Sequence, residues 1–169
     1  KKKNSLKKKI YDISFIGTAD DKRFILLKSL KEFKIIIAGD GWNKYELPNN
    51  ITYVGNVDNK KFSQLISLSH LSLNILRDQN NHSHNMKTFE IPAMGGLMIT
   101  KRTKEQKNFF PENKASLMYQ NINELKIKIR GVLKNPKKFY KISKKAYSLS
   151  KYYSYKIRAK QILESINND

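Results

Sequence analysis

A chain of 169 residues that is 39% hydrophobic, with nine Tyr and eight Phe, is sized for one packed domain; it excludes two full domains and a disordered tail. The lack of cysteine excludes a disulfide framework and a thiolate metal site and fits a reducing, cytoplasmic setting. The formal charge of +20 invites a nucleic-acid partner, yet among 34 basic residues only Arg23, Arg77, Arg102, Arg130 and Arg158 are arginine; lysines spread evenly beside abundant Asn and Ile read as A/T-rich codon usage and solvated faces, and nucleic acid is not the expected partner.

Residues 1–10 (KKKNSLKKKI) read as a basic linker and 11–169 as the domain. The apolar stretch after the linker is a short strand ending at Gly17, so the leader is neither a signal peptide nor a transmembrane span. Anionic lipid attracts such polybasic segments, which makes peripheral membrane contact a further expectation.

Beyond the linker, short apolar runs alternate with amphipathic stretches, the rhythm of strands and helices stacked on a parallel sheet. Strands are expected at Ile13–Ile16, Lys34–Ala38, Ile51–Val54, Leu71–Ile75, Leu97–Ile99 and Ala115–Tyr119. Helices are expected at Lys22–Glu32, Lys60–Ser67, Lys87–Met94 and Lys104–Phe109, then without further strands at Asn123–Leu133, Pro136–Ser148 and Ser154–Ile166. The fold class is therefore a three-layer α/β/α domain with about six parallel strands and extra C-terminal helices. Strands end in Ile16-Gly17, Ala38-Gly39-Asp40-Gly41, Val54-Gly55 and Ile99-Thr100. In such sheets the carboxyl ends of the strands line the ligand crevice, and glycine lets backbone approach a phosphate. Trp42, after the Gly-Asp-Gly turn, is expected to pack in the core.

The most informative segment runs from Leu73 to Thr100. A strand leads into the polar loop Asn80–Asn85, a helix opens at Asn85–Lys87, and Gly95-Gly96 stops it. Free N–H groups and a positive dipole end favour a diphosphate there, with Met86 at the opening and Lys87 and Thr88 offering an ammonium and a hydroxyl. Glu90, one turn deeper, is badly placed for phosphate but suited to accept hydrogen bonds from a ribose. Arg77, after the fourth strand, can reach a phosphate or simply lie exposed. His82 and His84 sit two apart, but two histidines without further convergent ligands do not make a metal site.

The stretch MKTFEIPAMGGLMIT resembles the signature M-R-T-F-E-x-x-A-x-G-G of group 1 glycosyltransferases, in particular the branch of CgeB-like spore-maturation proteins. The resemblance extends to YDISFIGTADDKRFILLKSL, IIIAGDGW, YVGNVDNKKFSQLIS and the closing helices. It implies the Rossmann-like C-terminal half of a GT-B fold, which holds a UDP- or GDP-sugar against a separate N-terminal, acceptor-binding half and works without a metal. It further implies that Glu90 holds the donor ribose, and that Lys87, where the branch has arginine, stands beside Thr88 at the diphosphate. Gly17 and Thr18 lie near the phosphates with Lys22 or Arg23 as cationic partner, and Gly55, Asn56 and Val57 lie at the nucleobase. On this reading Lys87 and Arg23 stabilise the departing diphosphate. The family's second, upstream glutamate at E-x7-E spacing is replaced by His82, which leaves the sugar contact to His82 or His84. Two other readings stay open: a non-catalytic module whose lysines hold nucleic acid or an anionic membrane, and a sugar-nucleotide epimerase.

Overall fold

The computed structural model describes residues 9–80 and 82–166. Its elements are β1 (Tyr11–Ile16), α1 (Asp21–Lys28), β2 (Ile35–Ala38), β3 (Ile51–Tyr53), α2 (Asn59–Leu68), β4 (Ser69–Asn74), α3 (Lys87–Ala93), β5 (Met98–Lys101), α4 (Lys104–Phe109), β6 (Leu117–Tyr119), α5 (Ile122–Lys134), α6 (Pro136–Ser150) and α7 (Tyr155–Ile166). Short 3-10 turns occur at Trp42–Lys44, Asp78–Asn80 and Lys151–Tyr153. Helix starts are set by side chains that accept from orphan backbone N–H groups: Asp20 for α1, Asp58 for α2, Thr103 for α4 and Asn121 for α5. Pro136 opens α6, where its missing N–H costs nothing.

All strands pair in parallel, in the order β3-β2-β1-β4-β5-β6. The chain moves outward on one side from β1 to β3, then crosses back to start β4 beside β1, so their carboxyl ends diverge at a topological switch point. Both faces are covered, which is why β2 is a run of buried Ile and Ala rather than an alternation with polar residues. Ile13, Phe15, Ile35 and Ile37 face one layer with Leu27 of α1 and Leu125 and Ile129 of α5. On the other face Ile36 and Ala38 meet Leu65 of α2, while Met98 packs with Phe62, Ile91 and Ala146 of α2, α3 and α6. Each such aliphatic side chain contributes roughly 1.5–3 kcal/mol on burial. Between β1 and β4 the core is polar at one point, where the buried Ser14 and Ser72 hydroxyls hydrogen-bond at 2.7 Å.

The three-layer parallel architecture and all six strands agree with the sequence pattern. Differences lie at the ends of elements. The first helix stops at Lys28 rather than Glu32, because the chain turns there and carries Leu30 and Phe33 into the core. The last strand shortens to Leu117–Tyr119. Trp42 is fully buried, its ring edge-on to Phe15. Of the basic linker, residues 1–8 lie outside the described residues, as does Asn81 of the polar loop. No helix among the described residues is long and apolar enough to cross a membrane.

Gly39 is demanded by a close approach of backbone to backbone. Gly39 has φ +126°, and a Cβ on it would lie 2.3 Å from the Gly17 carbonyl oxygen. Gly55 has φ +74° but faces open space. Gly39→Ala is therefore expected to destabilise the chain by about 3 kcal/mol or more, and Gly55→Ala by only about 1–2 kcal/mol, the ordinary cost of a left-handed alanine. Urea melts of the two variants check this; equal losses would contradict it.

Candidate functional site

At the carboxyl edge the loop after β1 packs on the turn after β2. The Gly17 N–H donates to Ala38 O at 2.8 Å, Gly39 N–H to Gly55 O at 3.0 Å, and Trp42 Nε1 to Gly17 O at 2.8 Å. The ends of β1, β2 and β3 thus form one glycine-bearing rim. Asn56 is exposed at its outer end, whereas Val57 turns inward against the α2 side of the core.

Arg23 crosses the switch point. It is only 8% exposed; its terminal nitrogens donate to Thr18 O at 2.8 Å and Ile75 O at 2.9 Å, and its Nε lies 3.4 Å from the Asp20 carboxylate. Burial pushes the guanidinium down from its ordinary value, Asp20 opposes that shift, and Arg77 adds to it. This geometry makes Arg23 the brace that ties the loop after β1 to the loop after β4. Arg77 lies 3.6 Å from Asp20, and Lys22 pairs with Asp78. Lys22, Arg77, Asp20, Asp21 and Asp78 line one cleft of about 380 Å³, where each expected phosphate-binding cation stands beside a carboxylate.

The opening turn of α3 rests on a buried hydrogen-bond set. Asn74, the last residue of β4, accepts from Asn85 Nδ2 at 3.0 Å, and the Asn85 side-chain oxygen accepts from the Thr88 N–H at 3.2 Å. Thr88 is fully buried. Its hydroxyl oxygen accepts from Gln106 Nε2 at 2.9 Å and Asn74 Nδ2 at 3.3 Å. The hydroxyl expected at a diphosphate therefore faces the sheet and serves the helix start. Lys87 reaches the other way, its ammonium 2.7 Å from Glu90 Oε2 and 4.4 Å from the centre of the Phe62 ring.

Glu90 lines a second cleft, of about 410 Å³, together with His84, Asn85, Met86 and Phe89; Tyr153, Tyr155 and Arg158 close it. His84 Nδ1 lies 3.0 Å from Glu105 Oε2, and its ring stands edge-on to Phe89 and Phe109. Hydrogen bonds from Ser83 and then His84 hold the Glu105 carboxyl below its ordinary value. His82 is exposed in the loop. The structure thus gathers His84, Asn85, Met86 and Glu90 around one cleft and Lys22 and Arg77 around another, and leaves Gly55 and Asn56 on the rim beyond both. Among the described residues no group of His, Cys, Asp and Glu could hold a metal ion.

Sequence reading missed the three residues that the 3-10 turn after α6 and the start of α7 bring to the Glu90 cleft, because nothing in their spacing shows that the C-terminal segment returns to the carboxyl edge. It also missed an ionic cluster beyond β5. Arg102 meets Glu112 at 2.7 Å and Glu124 at 2.5 Å, and Lys128 meets Glu112 at 2.9 Å. Arg102, the first contributor at both carboxyls, holds each at about 2, well below the ordinary carboxylate value. One available signal was Asn121-x-x-Glu124, a capping pair in which the Asn121 side chain accepts from the Glu124 N–H at 3.0 Å.

The sequence model of the family described as Glycosyl transferase-like matches residues 22–164. No curated protein sequence matches the chain. Among solved structures the chain is similar to sucrose-phosphate synthase from Thermosynechococcus elongatus, with 14% identity and a TM-score of 0.71 over 92% of this chain and 45% of that one. It is also similar to T4 phage BGT in complex with UDP and Mn2+, with 15% identity and a TM-score of 0.67 over 88% and 45%. A third is Anabaena Alr3699/HepE in complex with UDP-glucose, with 12% identity and a TM-score of 0.70 over 92% and 49%. The likeness is one of fold, and the chain spans about half the length of each.

The ionic cluster has a pH signature. Glu112 and Glu124 have folded values of about 2 against an ordinary 4.5, so their stabilisation is complete above the unfolded value and is lost as pH falls through the folded one. Stability is expected to decline between about pH 4.5 and pH 2. Arg102→Met should flatten that decline and cost about 1–3 kcal/mol at neutral pH. Urea midpoints measured across this range check it; parallel curves for the two proteins would refute it.

Proposed function

Because the chain belongs to the glycosyl transferase-like family, matched over residues 22–164, we propose that it is the donor-binding half of a glycosyltransferase of the CgeB-like branch, taking a UDP- or GDP-linked sugar at the carboxyl edge of its sheet. One observation carries the reading: Glu90 lines the cleft at the opening of α3, the helix pinned by Asn85 and Thr88 to the end of β4. A carboxylate in that position accepts hydrogen bonds from both hydroxyls of a pentose. Such contacts compete with Lys87 for Glu90 and free the ammonium to turn toward the diphosphate.

Transfer breaks the bond between the anomeric carbon and the diphosphate oxygen, and negative charge collects on that oxygen. A fixed cation close to that charge lowers the barrier more than it stabilises the ground state. Lys87 takes this part in our reading. Arg23, held by two backbone carbonyls, contributes field and loop shape behind Gly17 and Thr18. Lys22 and Arg77 form the phosphate-side lip, and Gly55, Asn56 and Val57 the nucleobase rim. His84 and Met86 flank the sugar side. We assign the acceptor and the group that takes its proton to a separate N-terminal domain, and we assign no metal to the reaction.

Calorimetric titration with UDP and GDP is the test. Saturable binding of one of them is expected, and Glu90→Gln should weaken it by roughly 10- to 150-fold, the worth of about 1.5–3 kcal/mol for hydrogen bonds to a charged acceptor. Absence of nucleotide binding, with duplex DNA bound along a steep salt slope instead, would overturn the reading in favour of a nucleic-acid module.

A further inference from the structure

Between Glu124 and Glu164 the sequence contains no Asp or Glu. α6 turns a stripe of this acid-free run to solvent: Lys137, Tyr140, Lys141, Lys144 and Tyr147 recur at helical spacing and are all exposed, and Lys151 follows on the next turn. Tyr140 and Tyr147 are 59% and 45% exposed, and the Lys151 ammonium lies 5.3 Å from the centre of the Tyr147 ring. Beside the stripe run two adjoining clefts, of about 450 and 290 Å³, which share Tyr140 and Ser143. The second is lined by Ile66, Leu97, Val132 and Phe139 with Lys9 and Lys137, and no described residue lining either cleft is acidic.

We propose that this face of α6 is a docking surface for an anionic lipid bilayer. Charge complementarity selects the partner: an acid-free lysine row gains from anionic headgroups, with each lysine near such a surface adding about five-fold in affinity. Tyrosines standing between the lysines suit the headgroup level, where an apolar ring and a polar hydroxyl are both satisfied. The apolar recess beside them offers a surface to the upper acyl carbons, to which a nucleic-acid duplex, with its bases stacked inside, has nothing to match. The stripe also contains no arginine, the side chain that reads guanine in the major groove.

The location suits the proposed chemistry without depending on it. The second cleft is lined by Ser69 and His70 where β4 begins and by Gly96 and Leu97 just before β5, so it lies at the amino edge of the sheet. The Glu90 cleft lies at the carboxyl edge and shares no lining residue with this recess.

Co-sedimentation of the chain with vesicles tests the surface. Vesicles of phosphatidylcholine with one-third phosphatidylglycerol are expected to bind the chain, and vesicles of phosphatidylcholine alone to leave it in solution. The double variant Lys141→Gln with Lys144→Gln should lose about 25-fold in partitioning. Lys104→Gln with Lys107→Gln, equal in charge but exposed on α4, should bind nearly as the parent does. Tyr140→Ser with Tyr147→Ser should remove the binding that survives high salt. Circular dichroism of each variant reports whether the fold is kept. Equal losses from the α6 and α4 pairs would overturn the proposal, since net charge alone would then be acting. So would failure to bind anionic vesicles, or tighter binding to duplex DNA than to the vesicles. Nucleotide titration is read separately, so neither result decides the other.

Discussion

The Thr88 hydroxyl, sealed from solvent, accepts hydrogen bonds from Gln106 at 2.9 Å and Asn74 at 3.3 Å, and through them the first turn of α3 is joined to both β4 and α4. Unpaired, a buried hydroxyl would cost roughly 1–3 kcal/mol, so the three side chains hold one another in place. That constraint sets the direction of α3, and the direction of α3 puts Glu90 in a cleft rather than in the core. Arg23 does the equivalent work at the switch point, closing the loop after β1 onto the loop after β4. Both devices use polar side chains inside the protein to shape loops that must stay open outside it.

Charge is not spread as evenly in space as it is along the sequence. Asp20, Asp21 and Asp78 stand among Lys22, Arg23 and Arg77 at the switch point, and Glu112 and Glu124 surround Arg102 and Lys128 beyond β5. Carboxylates thus gather at the carboxyl edge, where they fix loop geometry. Lys128 and Arg130 pair with carboxylates outside the stretch and Lys160 pairs with Glu164, but between Glu124 and Glu164 the C-terminal helices carry no acid of their own. A net charge of +20 therefore describes a molecule with a partly neutralised functional edge and a strongly basic flank.

Much of the fold was legible because each layer left its own period. Buried runs such as Ile35–Ala38 read as strands covered on both faces, and each helix from α1 to α7 begins within one residue of the start expected from its amphipathic period. The neighbourhood of Glu90 was legible in part, since His84, Asn85, Met86 and Glu90 are close in sequence and share a loop and a helix turn. Side-chain direction was not. Thr88 stands beside Lys87 in sequence, yet the first points to the sheet while the second lies over the Phe62 ring against Glu90, and the partner of Thr88, Gln106, comes from a different helix. The pairing of Lys22 with Asp78 spans the switch point, so sequence neighbours gave no warning of it. Tyr153, Tyr155 and Arg158 reach the cleft only because α6 folds back across α3.

The central claim is that Glu90 grips the pentose of a nucleotide sugar. A crystal structure of the chain with bound uridine or guanosine diphosphate measures this directly. The account predicts ribose hydroxyls within hydrogen-bonding distance of the Glu90 carboxylate and phosphates toward Lys87. A nucleotide seated elsewhere, with Glu90 still closed on Lys87, would contradict it.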